Sequence, residues 1–365
     1  MNELHDLNFY IKQLLKAKYD FAFYSLMGSC DLNLVIDTKQ NEKVIETFIV
    51  SPFNPKEKTL SIQAKVKISG NFDLVTKKLK HLIDLLNIDL KSPDDCEIQN
   101  SKILKSCQEL NATAYATYQK AFKTFHDNLR AHKFSKLVLS RPYYCPLSKD
   151  LSLSFLNLTK AYPGAFCYLA KIEDNGIFMG ASPEILGIVE GNNLSTMSLA
   201  GTMPCSNDDT YKWSLKNQRE QNIVSLFIKE KLSPLCRKIS LSNPITHKAG
   251  PVVHLLTKIE GILSPDINKY DAVTKLHPTP AVCGLPSEKA LDFILNNEGY
   301  KRNFYAGFVG FINKDCIKLF VNLRCLTYKD AIATLYAGGG ILEESILEDE
   351  WAETENKLKT LKDFI

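Results

Sequence analysis

Two hydrophobic periods divide the chain: apolar residues alternate over short runs and recur three to four apart over longer ones. Near the start, MNELHDLNFYIKQLL reads as an amphipathic helix, and FAFYSLMGS, DLNLVID and VIETFIVSPF then read as strands. A polar, turn-rich stretch, KSPDDCEIQNSK at 91–102, interrupts the pattern. Beyond it, NATAYATYQKAFKTFHDNLRAHKF has the spacing of a long helix that delivers the chain to the strand KLVLS. CYLAKIEDNGIFMGAS and ILGIVEGNNLSTMSLAG read as hairpins, with turns at DNG and EGNN. Further helices are expected over about 211–232 and 287–296, and strands at AGFVGFI and IKLFVNLRCLTY. A strand, a glycine triplet and an acidic helix close the sequence. Long strands joined by hairpins, with helices interspersed, predict an α+β fold of large antiparallel sheets with surrounding helices, in one domain over 1–365.

The last helix is unusual in its charge. Seven carboxylates fall between Glu343 and Glu355 directly after Gly338, Gly339 and Gly340. At about 100° per residue, Glu350, Trp351, Glu353, Thr354, Lys357, Leu358, Leu361 and Phe364 share one face. Charges on the face that carries Trp351 and Leu361 are costly to desolvate unless they are paired. Either a buried ion-pair network or a divalent cation held by oxygen ligands would satisfy them. Glu220 presents the same choice, because it shares a helical stripe with Val224 and Phe227. Together, Glu220, Glu350 and Glu353 would offer the hard oxygen ligands that suit magnesium.

Other candidates lie at strand ends. Lys136 opens KLVLS on the side of Val138 and Ser140, as a snorkelling edge lysine or as a desolvated amine able to serve as a base. Glu184 follows Ser182 and Pro183 and either caps a strand or projects into a cleft. The bare amides of the glycine triplet could cradle a carboxylate, and Arg324 could hold a second one. The triplet lacks the lysine–serine pair of a phosphate loop and the G-x-G-x-x-G spacing, which argues against nucleotide binding. His254 and His277 are equally suited to a hydrogen-bonded core position or to a ligand's role.

Composition narrows the function classes. The formal charge is +4, with acidic and basic residues mixed along all 365 positions, so nucleic acid is not an expected partner. No apolar stretch approaches the roughly 20 residues of a spanning helix, and the N-terminal segment lacks the features of a signal peptide. Ten scattered cysteines without a C-x-x-C pair suggest a reducing, cytoplasmic setting rather than zinc or disulfides.

The motifs KLVLSR (136–141), GASPE (180–184), LAGT (199–202), REQNIV (219–224), HPTPAVCGLP (277–286), FYAGFVGF (304–311), LRC (323–325), YAGGGI (336–341) and EWAETENK (350–357) occur in an order that resembles the chorismate-utilising enzymes. That family comprises the isochorismate, salicylate, anthranilate and aminodeoxychorismate synthases. The resemblance runs from about residue 115 to the end; the part over about 1–110 matches only loosely. Within the family it is most similar to the isochorismate synthases, of menaquinone or siderophore pathways. It implies chorismate as substrate, Lys136 as the base that activates water and Glu184 as the acid that protonates the departing hydroxyl. It also implies magnesium on Glu220 and Glu353 with Glu350 beside them. Gly201, Thr202, His277, Tyr305, Arg324, Gly338, Gly339, Gly340 and Lys357 would bind the substrate, and the expected state is a monomer. A salicylate synthase or a non-catalytic chorismate-binding relative would share most of these residues. Two positions depart from the family: Gln221 stands where a histidine commonly follows the glutamate, and Cys283 replaces a smaller residue.

Overall fold

A computed structural model of the chain describes residues 2–88, 90, 100–206, 208–249 and 252–365. Most of the polar stretch at 91–102 therefore lies outside the described residues. The alternating segments form two nine-stranded sheets in which all recorded strand pairs are antiparallel. One sheet is centred on the strands Gly176–Ser182, Cys325–Lys329, Ile332–Ile341 and Lys136–Cys145. The other is centred on Val252–Leu263, Asn193–Pro204, Ile185–Glu190 and Cys316–Val321.

The sheets face each other across an aromatic layer. Phe166 stacks on Phe320 at 4.1 Å between ring centroids, and Tyr24 on Phe311 at 4.9 Å. Phe48, Val50, Ala22 and Tyr168 complete this inner core, whose stability comes from the apolar area it removes from water. The outer face of the first sheet is covered by the helices Asn2–Lys16, Phe72–Leu85, Leu151–Ala161 and Leu347–Lys362 through residues such as Leu7, Leu79, Phe155 and Leu358. The helices Asn100–Arg130, Leu215–Leu232 and Ser287–Asn297 bury Phe125, Val224 and Ile294 in a third cluster.

Several elements differ from the sequence reading. The segment IKLFVNLRCLTY is two strands, Cys316–Val321 and Cys325–Lys329, one in each sheet. The chain crosses between the sheets at Asn322, whose amide accepts from the Tyr168 hydroxyl at 2.7 Å and donates to Phe304 O at 2.9 Å. Arg324 completes the crossing in the left-handed region, φ 47°. The long helix begins at Asn100, eleven residues before the expected start, because Ile103, Cys107, Asn111 and Ala114 already continue its inward stripe. The helix expected from about 211 starts at Leu215, where the Ser214 hydroxyl accepts from Asn217 N. Glu343 and Glu344 lie in the turn that precedes the acidic helix.

Candidate active site

The glycine triplet lies inside the strand Ile332–Ile341 rather than after it, with Gly338, Gly339 and Gly340 opposite Ser140, Leu139 and Val138. Ser140 N donates to Glu298 Oε1 and Val138 N to Cys283 O, both away from the glycines. Gly338 and Gly340 therefore occupy non-hydrogen-bonded pairs, and their own amides point toward the opposite edge. That edge is open at this level, because the neighbouring strand Cys325–Lys329 pairs only as far as Leu335. A cleft open to solvent lies there and takes its walls from both sheets.

Functional groups fill the space that side chains would occupy on this strand. A Cβ on Gly340 would lie 3.0 Å from Lys136 Cε and 3.2 Å from Glu220 Oε1. One on Gly339 would meet Glu350 Oε2 at 3.1 Å and Glu353 Oε1 at 3.3 Å; one on Gly338 would lie 3.0 Å from the Tyr305 hydroxyl. The triplet is bare so that five polar side chains can approach the backbone.

These side chains form two lysine–glutamate pairs. Lys136 Nζ, on a side chain 2 % exposed, donates to Glu220 Oε1 at 2.5 Å. Lys357 Nζ donates to Glu353 Oε1 at 2.5 Å and to Gly338 O at 2.8 Å. Burial opposes ionisation of Glu353, but the charge and hydrogen bond of Lys357, with the charge of Arg324, outweigh it and hold the carboxyl below its ordinary range. Glu350 is pushed up to about 7, by burial first and by the nearby charge of Glu353, against a 2.6 Å hydrogen bond from Ser345.

Glu184 is 3 % exposed and lines the same cleft. Burial pushes its carboxyl up to about 8, with the positive charge of Lys136 opposing the rise. Lys136 makes its ion pair with Glu220 rather than with Glu184. Gly201 forms a bulge with φ 73° in the strand Asn193–Pro204, which lets Asn217 at the start of the helix Leu215–Leu232 pack against it. His254 Nδ1 lies 3.1 Å from Gly201 O and 3.2 Å from the Thr202 hydroxyl. Burial, together with Lys357 and Arg324, lowers His254 to about 3, so its ring is neutral. Arg324 Nη1 donates to the Thr360 hydroxyl at 2.7 Å. Lys216 and Asn217, which the sequence did not single out, also line the cleft.

His277 is a correction. It lies outside the lining of the cleft, with Nε2 3.0 Å from Phe53 O and its ring edge-on to Phe53 and Phe308. Burial lowers it to about 4. The HPTPA loop thus places its histidine as a neutral core residue. Gln221 is buried in a polar cluster, its side-chain amide within 2.8 Å of Ser198, 3.0 Å of Ser225 and 2.6 Å of Thr257, so it ties its helix to two strands behind Glu220. Cys283 is a core residue whose thiol burial pushes up to about 12. A buried pair missed in the sequence, Glu298 with Arg302 at 2.6 Å, fixes the strand of Lys136: Glu298 accepts from Ser140 N and Oγ, and Arg302 donates to Val138 O and Val282 O.

The carboxylates can be tested as a metal site. The donors are all hard oxygens and approach the same glycines from two helices, which suits magnesium. Among the described residues no three acidic, histidine or cysteine side chains are gathered as a preformed metal cluster, and Glu220 and Glu353 are instead held by lysines.

Residues 34–365 match the family model described as chorismate binding enzyme. The vibriobactin-specific isochorismate synthase of Vibrio cholerae is 28% identical over 307 residues, covering 77% of this chain and 78% of the relative. Component 1 of the anthranilate synthase of Saccharolobus solfataricus is 29% identical over 293 residues, covering 77% and 69%. Among solved structures, one described as a putative 2,3-dihydroxybenzoate-specific isochorismate synthase from Bacillus anthracis superposes with a TM-score of 0.75 at 22% identity, covering 97% of this chain and 98% of that one.

Proposed function

We propose that this chain, which belongs to the chorismate-binding enzyme family, interconverts chorismate and isochorismate. The observation that carries the reading is a buried carboxyl held protonated near neutral pH, Glu184, in one cleft with a buried lysine that pairs elsewhere. An acid and a base that are not paired with each other suit a reaction that removes a proton from water at one ring carbon and protonates a leaving hydroxyl at another.

In the proposed reaction Lys136 gives up its ammonium proton to solvent and parts from Glu220, and the neutral amine then accepts a proton from water as the water oxygen bonds to the ring carbon beside the carboxylate-bearing one. The ring double bonds shift, and the hydroxyl on the far side of the allylic system leaves as water with the proton of Glu184. In reverse the two residues exchange roles. Lys357, Arg324 and the outward amides of Gly338 and Gly340 are the groups for the substrate's two carboxylates. Glu220 and Glu353, with Glu350 beside them, would hold magnesium, which when bound supplies positive charge to the ring carboxylate.

The test is product analysis after incubation with chorismate and magnesium. Isochorismate without pyruvate is expected. Salicylate with stoichiometric pyruvate would show a lyase instead, and binding without turnover would show a non-catalytic relative.

A further inference from the structure

Arg324 and Pro183 separate two cavities. One is the cleft described above; the other lies on their far side and is lined also by Tyr162, Pro163, Ala181 and Lys248. None of Lys136, Glu184, Glu220 or Glu353 reaches it, so the proposed reaction leaves it without a role.

Its walls combine two characters. Tyr162, Pro163, Ala181 and Pro183 make a largely apolar wall, and among the described residues no carboxylate lines the space. His247 also borders it, but burial and the charge of Lys258 lower its pKa, leaving a neutral ring. The positive charge therefore comes from Lys248 and Arg324. Arg324 spends one nitrogen on the Thr360 hydroxyl, and the left-handed backbone at φ 47° that presents it is one that side chains other than glycine rarely adopt. Two cations without a lining acid, beside an apolar wall, form an amphipathic site for an anion with a flat hydrophobic body.

We propose that this second cleft binds a small planar aromatic carboxylate, its ring against Tyr162 and Pro183 and its carboxylate between Lys248 and Arg324. A phosphate would use the cations but leave the apolar wall unused. Because Arg324 lines both cavities, an occupant that engages its guanidinium from the second would weaken the hold on a carboxylate in the first.

The probe is benzoate, titrated into the full chain and followed by ligand-observed NMR, a readout that needs no turnover and so stands or falls apart from the isomerase reading. Lys248→Glu removes one cation and adds a like charge, and should weaken benzoate binding by about tenfold or more. Lys357→Gln, which alters only the first cleft, should leave benzoate binding unchanged. Binding that ignores Lys248→Glu, or is lost in Lys357→Gln, would place benzoate in the first cleft and overturn the proposal. So would an absence of saturable binding at millimolar benzoate. Inorganic phosphate bound as tightly, with the same dependence on Lys248, would overturn the aromatic class.

Discussion

Glu184→Gln should separate the two consequences of burying an acid. The carboxyl of Glu184 rises from an ordinary 4.5 to about 8 because burial penalises its charged form, and Lys136 only partly offsets this. Between those values the folded chain holds a proton that the unfolded chain releases. The associated stabilisation is complete below the unfolded value, declines as pH rises and is lost above about 8, a total of about 5 kcal/mol. Glu184 is almost fully enclosed, so little of that is screened by solvent. Gln has the same shape and no proton to lose. The stability of wild type relative to Glu184→Gln should therefore fall by about 2 to 3 kcal/mol between about pH 5.5 and about pH 7.5. Urea unfolding of both proteins at the two pH values measures it, and titrations shared by both, such as that of Glu350, cancel in the comparison. Turnover of chorismate by the variant should drop by roughly 10² to 10⁴ fold, while wild-type turnover declines as pH rises through about 8. Parallel stability curves would refute the elevated carboxyl, and with it the acid assigned to this position.

Lys136→Ala should fold and bind chorismate but slow conversion by roughly 10² to 10⁴ fold in both directions, with the equilibrium ratio unchanged; progress curves started from either compound measure this. Chelation of divalent cations should abolish turnover and added magnesium restore it. Calcium should restore it poorly, since its bonds are longer and its coordination number higher. Gly339→Ala would place a methyl 3.1 Å from Glu350 Oε2 and 3.3 Å from Glu353 Oε1. These are ends of flexible side chains, so the melting temperature should hold while the magnesium concentration for half-maximal rate rises. Arg302→Leu should cost about 3–5 kcal/mol in urea unfolding, because it leaves Glu298 buried and unpaired.

What the sequence showed was local. A period of two placed Lys136 with Val138, and a period of about 3.6 placed Glu350, Glu353 and Lys357 on the face that turns inward. The structure adds that these faces meet at the glycine strand. Local pattern does not carry long-range partners. Nothing near Lys136 announces that Glu220, 84 positions away, takes its amine, or that Glu298 anchors Ser140 across 158 positions. IKLFVNLRCLTY reads as one strand because its apolar residues hardly pause, yet Asn322 and Arg324 carry the chain from one sheet to the other. His277 was misplaced for a related reason. A histidine beside Pro278 looks the same whether its ring faces a cleft or, as here, the carbonyl of Phe53.

The charge balance of the cleft unites the acidic helix with the glycines. Its lining holds Lys136, Lys216, Arg324 and Lys357 against Glu184, Glu220, Glu350 and Glu353, an even match by residue type. Burial breaks the tie: it keeps Glu184 largely protonated at neutral pH and brings Glu350 to about 7, so neither contributes a full negative charge. The wall is then net positive where a doubly anionic substrate would dock. A side chain on the glycine strand would push the carboxylates and lysines out of their mutual contacts and admit water between them. The bare backbone is thus a condition for the anion's dock: it permits the close approach of Lys136, Glu220, Glu350 and Glu353 on which that charge balance rests.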